Sequence, residues 1–394
     1  MSSQNDSAPK TLAGWQSDSF VKNNLDFCRF WLAVLVIFSH SYALAEGHEE
    51  NEPLGLFTHG QLNSGPFAVC CFFIISGFLI THSWLRSKSA VDYLKKRAFR
   101  IYPGFIVVVL LGVFVIAPFV SENLHFGVKR LLTIPISLLA LRNVDLREAF
   151  VNNPYPGTMN GSLWSIPYEF KCYLAVMAIG AAGMLTRRRG LVPWLFLVTL
   201  IAGALYPFFP VPALDKGPFA AIVGSAEAWS RVFPYFIAGL AFYVYRKSIP
   251  FSTPLFVASV IAFVAASFAP PAGRFVFPFA ITYALFWFSF HPAIHFENWS
   301  RYGDFSYGIY LYAFPIQQLI ALSMPGVSAI TMFFIATPLS ILAGAISWHL
   351  VEKHFLKMKH RPAKPVEVKQ PAVIDNAATL KSEATNLGSG VVAK

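Results

Sequence analysis

The chain has 394 residues, of which 55% are hydrophobic, 16% aromatic and only 13% charged, about half the charged share of an ordinary soluble domain. Its formal net charge is +11, but the basic residues stand in short clusters between apolar runs and not along one soluble face, which argues against a nucleic-acid binder. Four cysteines, Cys28, Cys70, Cys71 and Cys172, lie in or beside apolar segments without metal-ligand spacing, so neither a disulfide framework nor a metal site is expected.

A helix needs about 20 apolar residues to cross a bilayer. On that measure the sequence predicts an all-α, polytopic membrane protein of about ten transmembrane helices, at 26–45, 66–85, 101–121, 162–185, 191–209, 227–245, 252–271, 275–292, 306–323 and 327–350. Residues 1–24 are polar, without a cleavage site after an apolar core, and are expected to form a cytoplasmic N-terminal tail with the first span as targeting signal. The apolar stretch 128–141 is too short to cross and is flanked by Lys129, Arg130 and Arg142, so an interfacial or re-entrant helix is expected there. Met324-Pro-Gly-Val327 is the turn between the last two spans. The membrane domain is predicted over 25–357, and the Lys-, Pro-, Ala- and Ser-rich residues 358–394 are expected to be a disordered cytoplasmic tail.

Orientation follows from the excess of Lys and Arg in cytoplasmic loops. With the N-terminus inside, that side collects 23 of the 31 basic residues, while the opposite loop 46–64 carries four Glu and no Lys or Arg. Both termini are therefore predicted cytoplasmic, in a multi-pass protein of the inner membrane.

Ionisable residues within a bilayer are costly and mark functional sites. His40 lies about 20 Å along the first span from Asp26. An imidazole is suited to take a proton from a hydroxyl as that oxygen attacks an acyl carbonyl, and the competing reading is a hydrogen-bonded bundle histidine. Asp26 and Arg29 are spaced to pair on one helix face. Arg97 and Arg100, three apart in the basic connection 86–103, form a pair of guanidinium forks suited to a phosphate-bearing donor, against the alternative of a loop touching anionic head groups. Glu169 follows Asn160-Gly-Ser-Leu-Trp164-Ser-Ile-Pro-Tyr168 near the outer start of the fourth predicted span. It is expected to hydrogen-bond an acceptor hydroxyl or to pair with a basic group of another helix, Lys171 being on the wrong face. Ser76 and Gly77, set among Phe72 to Phe78, permit close helix approach.

The ordered set of these features resembles the acyltransferase-3 family over residues 20–357. Arg29 and His40 match its basic residue, ten positions and histidine. Phe72-Phe-Ile-Ile-Ser-Gly-Phe-Leu79 is similar to its second-helix signature, and Arg97-Ala-Phe-Arg100 to its cytoplasmic arginine motif. Ser162 to Glu169 and Phe305-Ser-Tyr-Gly-Ile-Tyr-Leu-Tyr312 resemble two more. The chain departs from the pattern at Ala313, where many members carry a second histidine, and at Glu352-Lys-His-Phe355, where the proline is missing.

The resemblance implies transfer of an acyl group, most often acetyl from acetyl-CoA, across the membrane to a hydroxyl of a polysaccharide, lipopolysaccharide or similar glycan. His40 and Glu169 are then expected at the catalytic centre and Arg29, Arg97 and Arg100 on the acyl-CoA side, with no metal. The rival class is a transporter or flippase of a lipid-linked saccharide, for which the inverted repeats common in transporters are not detected. Acceptor identity, acyl length and oligomeric state are not legible.

Overall fold

A computed structural model describes residues 23–122, 125 and 127–358, so the expectations for the two tails fall outside the described residues. The principal helices are α1 Leu25–Glu46, α2 Ser64–Leu85, α3 Ala90–Leu111 with its continuation to Val120, α4 Val128–Leu139, α5 Ile166–Ala181 and α6 Val192–Leu205. They are followed by α7 Ala226–Tyr245, α8 Thr253–Ser267, α9 Gly273–Phe290, α10 Ser306–Ser323 and α11 Ala329–Ser347, which continues to Met358. No strand occurs among the described residues.

Each of the ten stretches expected to cross contains a helix, and five of these are long and apolar enough to span by length and composition: α1, α2, α3 with its continuation, α9, and α11 with its continuation. The protein is thus a multi-pass helical membrane protein. Among the others, α5, α6 and α8 have 16, 14 and 15 residues. They rise about 21 to 24 Å, short of the roughly 30 Å hydrocarbon core. The stretch 128–141 forms the 12-residue α4, whose last turn is tied to α3 by a bond from the Tyr102 hydroxyl to the Leu139 carbonyl, 2.8 Å.

Local chemistry sets several helix ends. Gly47 closes α1 at φ +81°, a left-handed cap that glycine adopts without strain. Ser89, Ser225 and Ser328 cap α3, α7 and α11 through their hydroxyls. Pro103 sits inside α3, and wide π turns interrupt the ladder at Gly112–Ile116 and Trp348–Glu352. Such turns often occur where a helix must re-aim side chains at a functional site.

Helix α1 is central, packing on α2, α10 and α11. Its apolar positions Ala33, Ile37 and Leu44 are fully buried with Ile309, Ala313 and Met332. In a bilayer, helix association relies on close van der Waals fit between small residues. The α2–α7 contact is built this way. A Cβ on Gly77 would stand 2.0 Å from the Phe236 carbonyl oxygen, and one on Gly239 2.0 Å from that of Ile74. All four cysteines are free and buried, as small core residues should be.

Gly77→Val should therefore force α2 and α7 apart and lower stability by about 1–3 kcal/mol or more. Gly127→Ala, with no neighbour within 4 Å of the new carbon, should melt like wild type. Thermal unfolding of purified protein in detergent makes the comparison, and an unshifted Gly77→Val would contradict this packing.

Candidate active site

One cavity of about 340 Å³ gathers most of the ionisable residues singled out in the sequence: Arg29, Arg97, Arg100 and Glu169 all line it. Its long wall is one face of α2, from Val69 through Phe72 and Ser76 to Ile80, a rise of about 16 Å.

The three arginines have different partners. The Asp304 carboxylate oxygen Oδ2 accepts from both Arg29 Nη1 and Arg100 Nη2, each at 2.7 Å. Arg100 is also 3.8 Å from Glu352, which the π turn of α11 directs inward and which accepts from Ser347 Oγ at 3.0 Å. Arg29 keeps the expected contact with Asp26, but at 3.7 Å it is looser than the bond to Asp304. Arg97 makes no ion pair with a carboxylate among the described residues. Its guanidinium lies 5.9 Å from the centre of the Tyr173 ring, and its Nε is buried without a hydrogen-bond partner.

Burial alone would push the Asp304 carboxyl up, but the two guanidinium charges and the bonds from Ser306 outweigh it and hold the group well below the usual carboxylate range.

Glu169 reaches the same cavity because α5 does not begin at a membrane surface. The turn Gly161–Ser165 is pinned to the middle of α10: Asn160 Nδ2 donates to the Leu311 carbonyl at 2.8 Å, Tyr310 donates to the Ser162 carbonyl at 2.7 Å, and the Ser165 and Tyr310 hydroxyls are 2.7 Å apart. Gly161 permits the approach, since a Cβ there would meet the Phe314 ring at 2.5 Å. Four residues later Glu169 accepts from the Tyr173 hydroxyl at 2.5 Å, on the wall it shares with Arg97. It therefore stands beside the arginines and not at an outer rim, while Lys171 points away, over the Tyr168 ring at 5.1 Å.

His40 does not line this cavity. It lies eleven residues beyond Arg29 on α1, about 16 Å along the axis and close to the same helix face. Its ring meets Phe314 edge-on, with centroids 5.3 Å apart, and its Nδ1 is buried with no hydrogen-bond partner. No hydrogen bond of the His40 ring is found among the described residues. Phe72 lines the cavity, its ring centroid 6.1 Å from that of Tyr310, and packs on the cluster that holds Phe314. His82, by contrast, is bonded to the Tyr243 hydroxyl at 2.9 Å.

Sequence reasoning missed Asp304 and took Glu352 as a matter of local geometry. The acidic residue directly before the Phe305–Tyr312 motif was the available signal.

A charged cavity among apolar helices fits a multi-pass membrane protein with a polar interior site. Residues 22–349 match the model described as an acyltransferase domain, and the chain belongs to this acyltransferase-3 family. It is 28% identical over 362 residues to the O-acetyl transferase of Shigella phage Sf6, covering 85% of this chain and 96% of that protein. It is also 28% identical over 364 residues to Nodulation protein 10 of Rhizobium leguminosarum bv. viciae, covering 86% and 94%. No solved structure matches significantly. The protein is an O-acyltransferase.

Asp304→Asn should leave two guanidinium groups without their shared carboxylate and cost about 3–5 kcal/mol, read as a lowered melting temperature. Because the folded Asp304 carboxyl is depressed, its contribution is complete above the ordinary carboxylate pKa of about 4 and fades as pH falls below it. The melting temperature of wild type should fall on acidification more steeply than that of Asp304→Asn; parallel curves would contradict the assignment.

Proposed function

We propose that the protein moves an acetyl or short acyl group from cytoplasmic acyl-CoA to a hydroxyl of a cell-surface glycan. In this reading it is a ten-span protein of the inner membrane with both termini inside. The distribution of basic residues supports that orientation, and the name of the phage relative, an O-acetyl transferase, supports acetyl as the group transferred.

The observation that carries the donor assignment is Arg97. Asp304 occupies Arg29 and Arg100, whereas the Arg97 fork is uncommitted at the cavity wall and suited to a phosphate of the coenzyme. Arg29 and Arg100 supply positive potential around it. The pantetheine arm then runs along the face of α1 toward His40, past Phe72 and Phe314, whose side chains must rotate to admit it.

At His40 the imidazole takes the proton of the acceptor hydroxyl as that oxygen bonds to the thioester carbonyl carbon. The carbon–sulfur bond then breaks, and the imidazolium returns its proton to the departing thiolate. A neutral histidine without a fixed hydrogen-bond partner is free to accept that proton. Glu169, hydrogen-bonded by Tyr173, orients polar groups of donor or acceptor in the cavity.

Two variants test the assignment with purified protein and labelled acetyl-CoA. His40→Ala should reduce turnover about 10²- to 10⁴-fold with little change in KM for the donor. Arg97→Gln should raise that KM about 10- to 100-fold, as expected for losing a charge-assisted bond of about 1.5–3 kcal/mol. Full activity of His40→Ala would falsify the base assignment.

A further inference from the structure

The first two turns of α5 separate two cavities. Ile166, Glu169 and Tyr173 face the arginine cavity. Pro167, Tyr168 and Lys171, on the roughly opposite side at about 100° per residue, line a second cavity of about 330 Å³. Its other walls are Arg142, after α4, and residues 215–224 of the α6–α7 connection. The α4–α5 connection is bridged at Ala149 to Ser121, beyond the far end of α3 from the Arg97 cluster.

This second cavity is cationic. Arg142, Lys171 and Lys216 come from three separate segments, and none makes an ion pair among the described residues. The one carboxylate in the lining, Asp215, is already used: it accepts from the Tyr206 hydroxyl and from the Glu227 backbone N–H. Lys171 and Arg142 are partly buried, so their charges are only partly screened by solvent.

An aromatic run begins at the same cavity. The Tyr168 ring lies 6.0 Å from Trp164 and 5.1 Å from Trp229, which in turn is 5.2 Å from Phe233. Tyr168 is fixed in place by donation from the Ser225 backbone N–H to its hydroxyl oxygen at 2.8 Å. Trp164, 38% exposed, stands directly before Ser165, which lines the arginine cavity. The exposed Trp164 ring, near cations that make no ion pair among the described residues, suits a ligand that joins a sugar to an anion.

We infer that this second cavity binds the anionic linkage of the acceptor: a saccharide joined to a lipid through phosphate, its charge held by Arg142, Lys171 and Lys216. The saccharide then extends over the exposed Trp164 toward the arginine cavity. This specifies the acceptor class of the glycan acylation proposed above and rests on that reading.

The shared chemistry, a phosphate near a bilayer, also fits an ordinary phospholipid head group, and three probes separate the two sources. Protein in phosphatidylcholine nanodiscs is titrated, without acyl-CoA, with glucosyl dodecyl phosphate, dodecyl glucoside and dodecyl phosphate. The first should bind at least tenfold more tightly than either of the others. Arg142→Gln with Lys171→Gln should abolish its advantage over the glucoside, and Lys216→Gln, at an exposed position, should reduce it. Gel filtration and melting temperature confirm that each variant is folded. Arg97→Gln should leave all three affinities unchanged while weakening acetyl-CoA binding. Equal binding of dodecyl phosphate, or loss of saccharide binding in discs containing phosphatidylglycerol, would assign the cavity to phospholipid and overturn the proposal. Equal binding of the glucoside, or dependence on Arg97, would overturn it as well. Because no donor is present, failure of the acyl-CoA assignment would leave these results readable on their own.

Discussion

The carboxylate of Asp304, shared between Arg29 and Arg100, is the interaction on which the rest of the site depends. It joins the start of α1 and the basic segment of α3 to a position two residues before α10, and through Arg100 it reaches Glu352 on the continuation of α11. The Arg29, Arg100 and Asp304 side chains keep 19%, 17% and 15% of their exposure. At that burial an unmatched charge would be expensive, so the pairing is a condition for placing arginines at the cavity at all. It leaves Arg97, the third guanidinium, without a carboxylate and therefore available to a ligand.

The second constraint is the shortness of α5. Its 16 helical residues are shorter than the hydrocarbon core, so flanking residues must complete the crossing, and its leading turn is held in mid-bundle by Asn160, Ser162 and Ser165 against α10. Non-helical backbone is tolerated at membrane depth only where protein satisfies its polar groups, and the Tyr310 hydroxyl does so for the Ser162 carbonyl. The result is a helix start that points polar side chains in opposite directions, Glu169 toward the arginines and Lys171 toward a separate cationic cavity. The two cavities thus lie on different sides of one helix.

The helices themselves were legible because each apolar stretch announces itself by composition, and Ser76–Gly77 was readable as a close-packing point because only small residues allow two backbones to touch. His40 was legible as a costly group in apolar surroundings, Arg29 as a partner for Asp26, and Arg97 and Arg100 as a spaced pair in a basic connection, and their order carried the family resemblance. Asp304 was not, since an acid at a helix start is also an ordinary dipole partner and its two arginines lie more than 200 residues away in sequence. The depth of Glu169 was also hidden: hydropathy marks 162–185 as one apolar stretch and cannot tell a helix that begins at the surface from one that begins inside the bundle. The contact of His40 with Phe314, and its absence from the cavity that the arginines line, depend on packing between α1, α2 and α10, which no local pattern encodes.

The most direct measurement is an experimental structure of the protein with a non-hydrolysable acetyl-CoA analogue bound. The account predicts a coenzyme phosphate within hydrogen-bonding distance of Arg97, the arm following α1, and the acyl carbonyl beside His40 with Phe72 or Phe314 turned aside. A coenzyme seated away from Arg97, or an acyl group that ends at Glu169 and not beside His40, would contradict it.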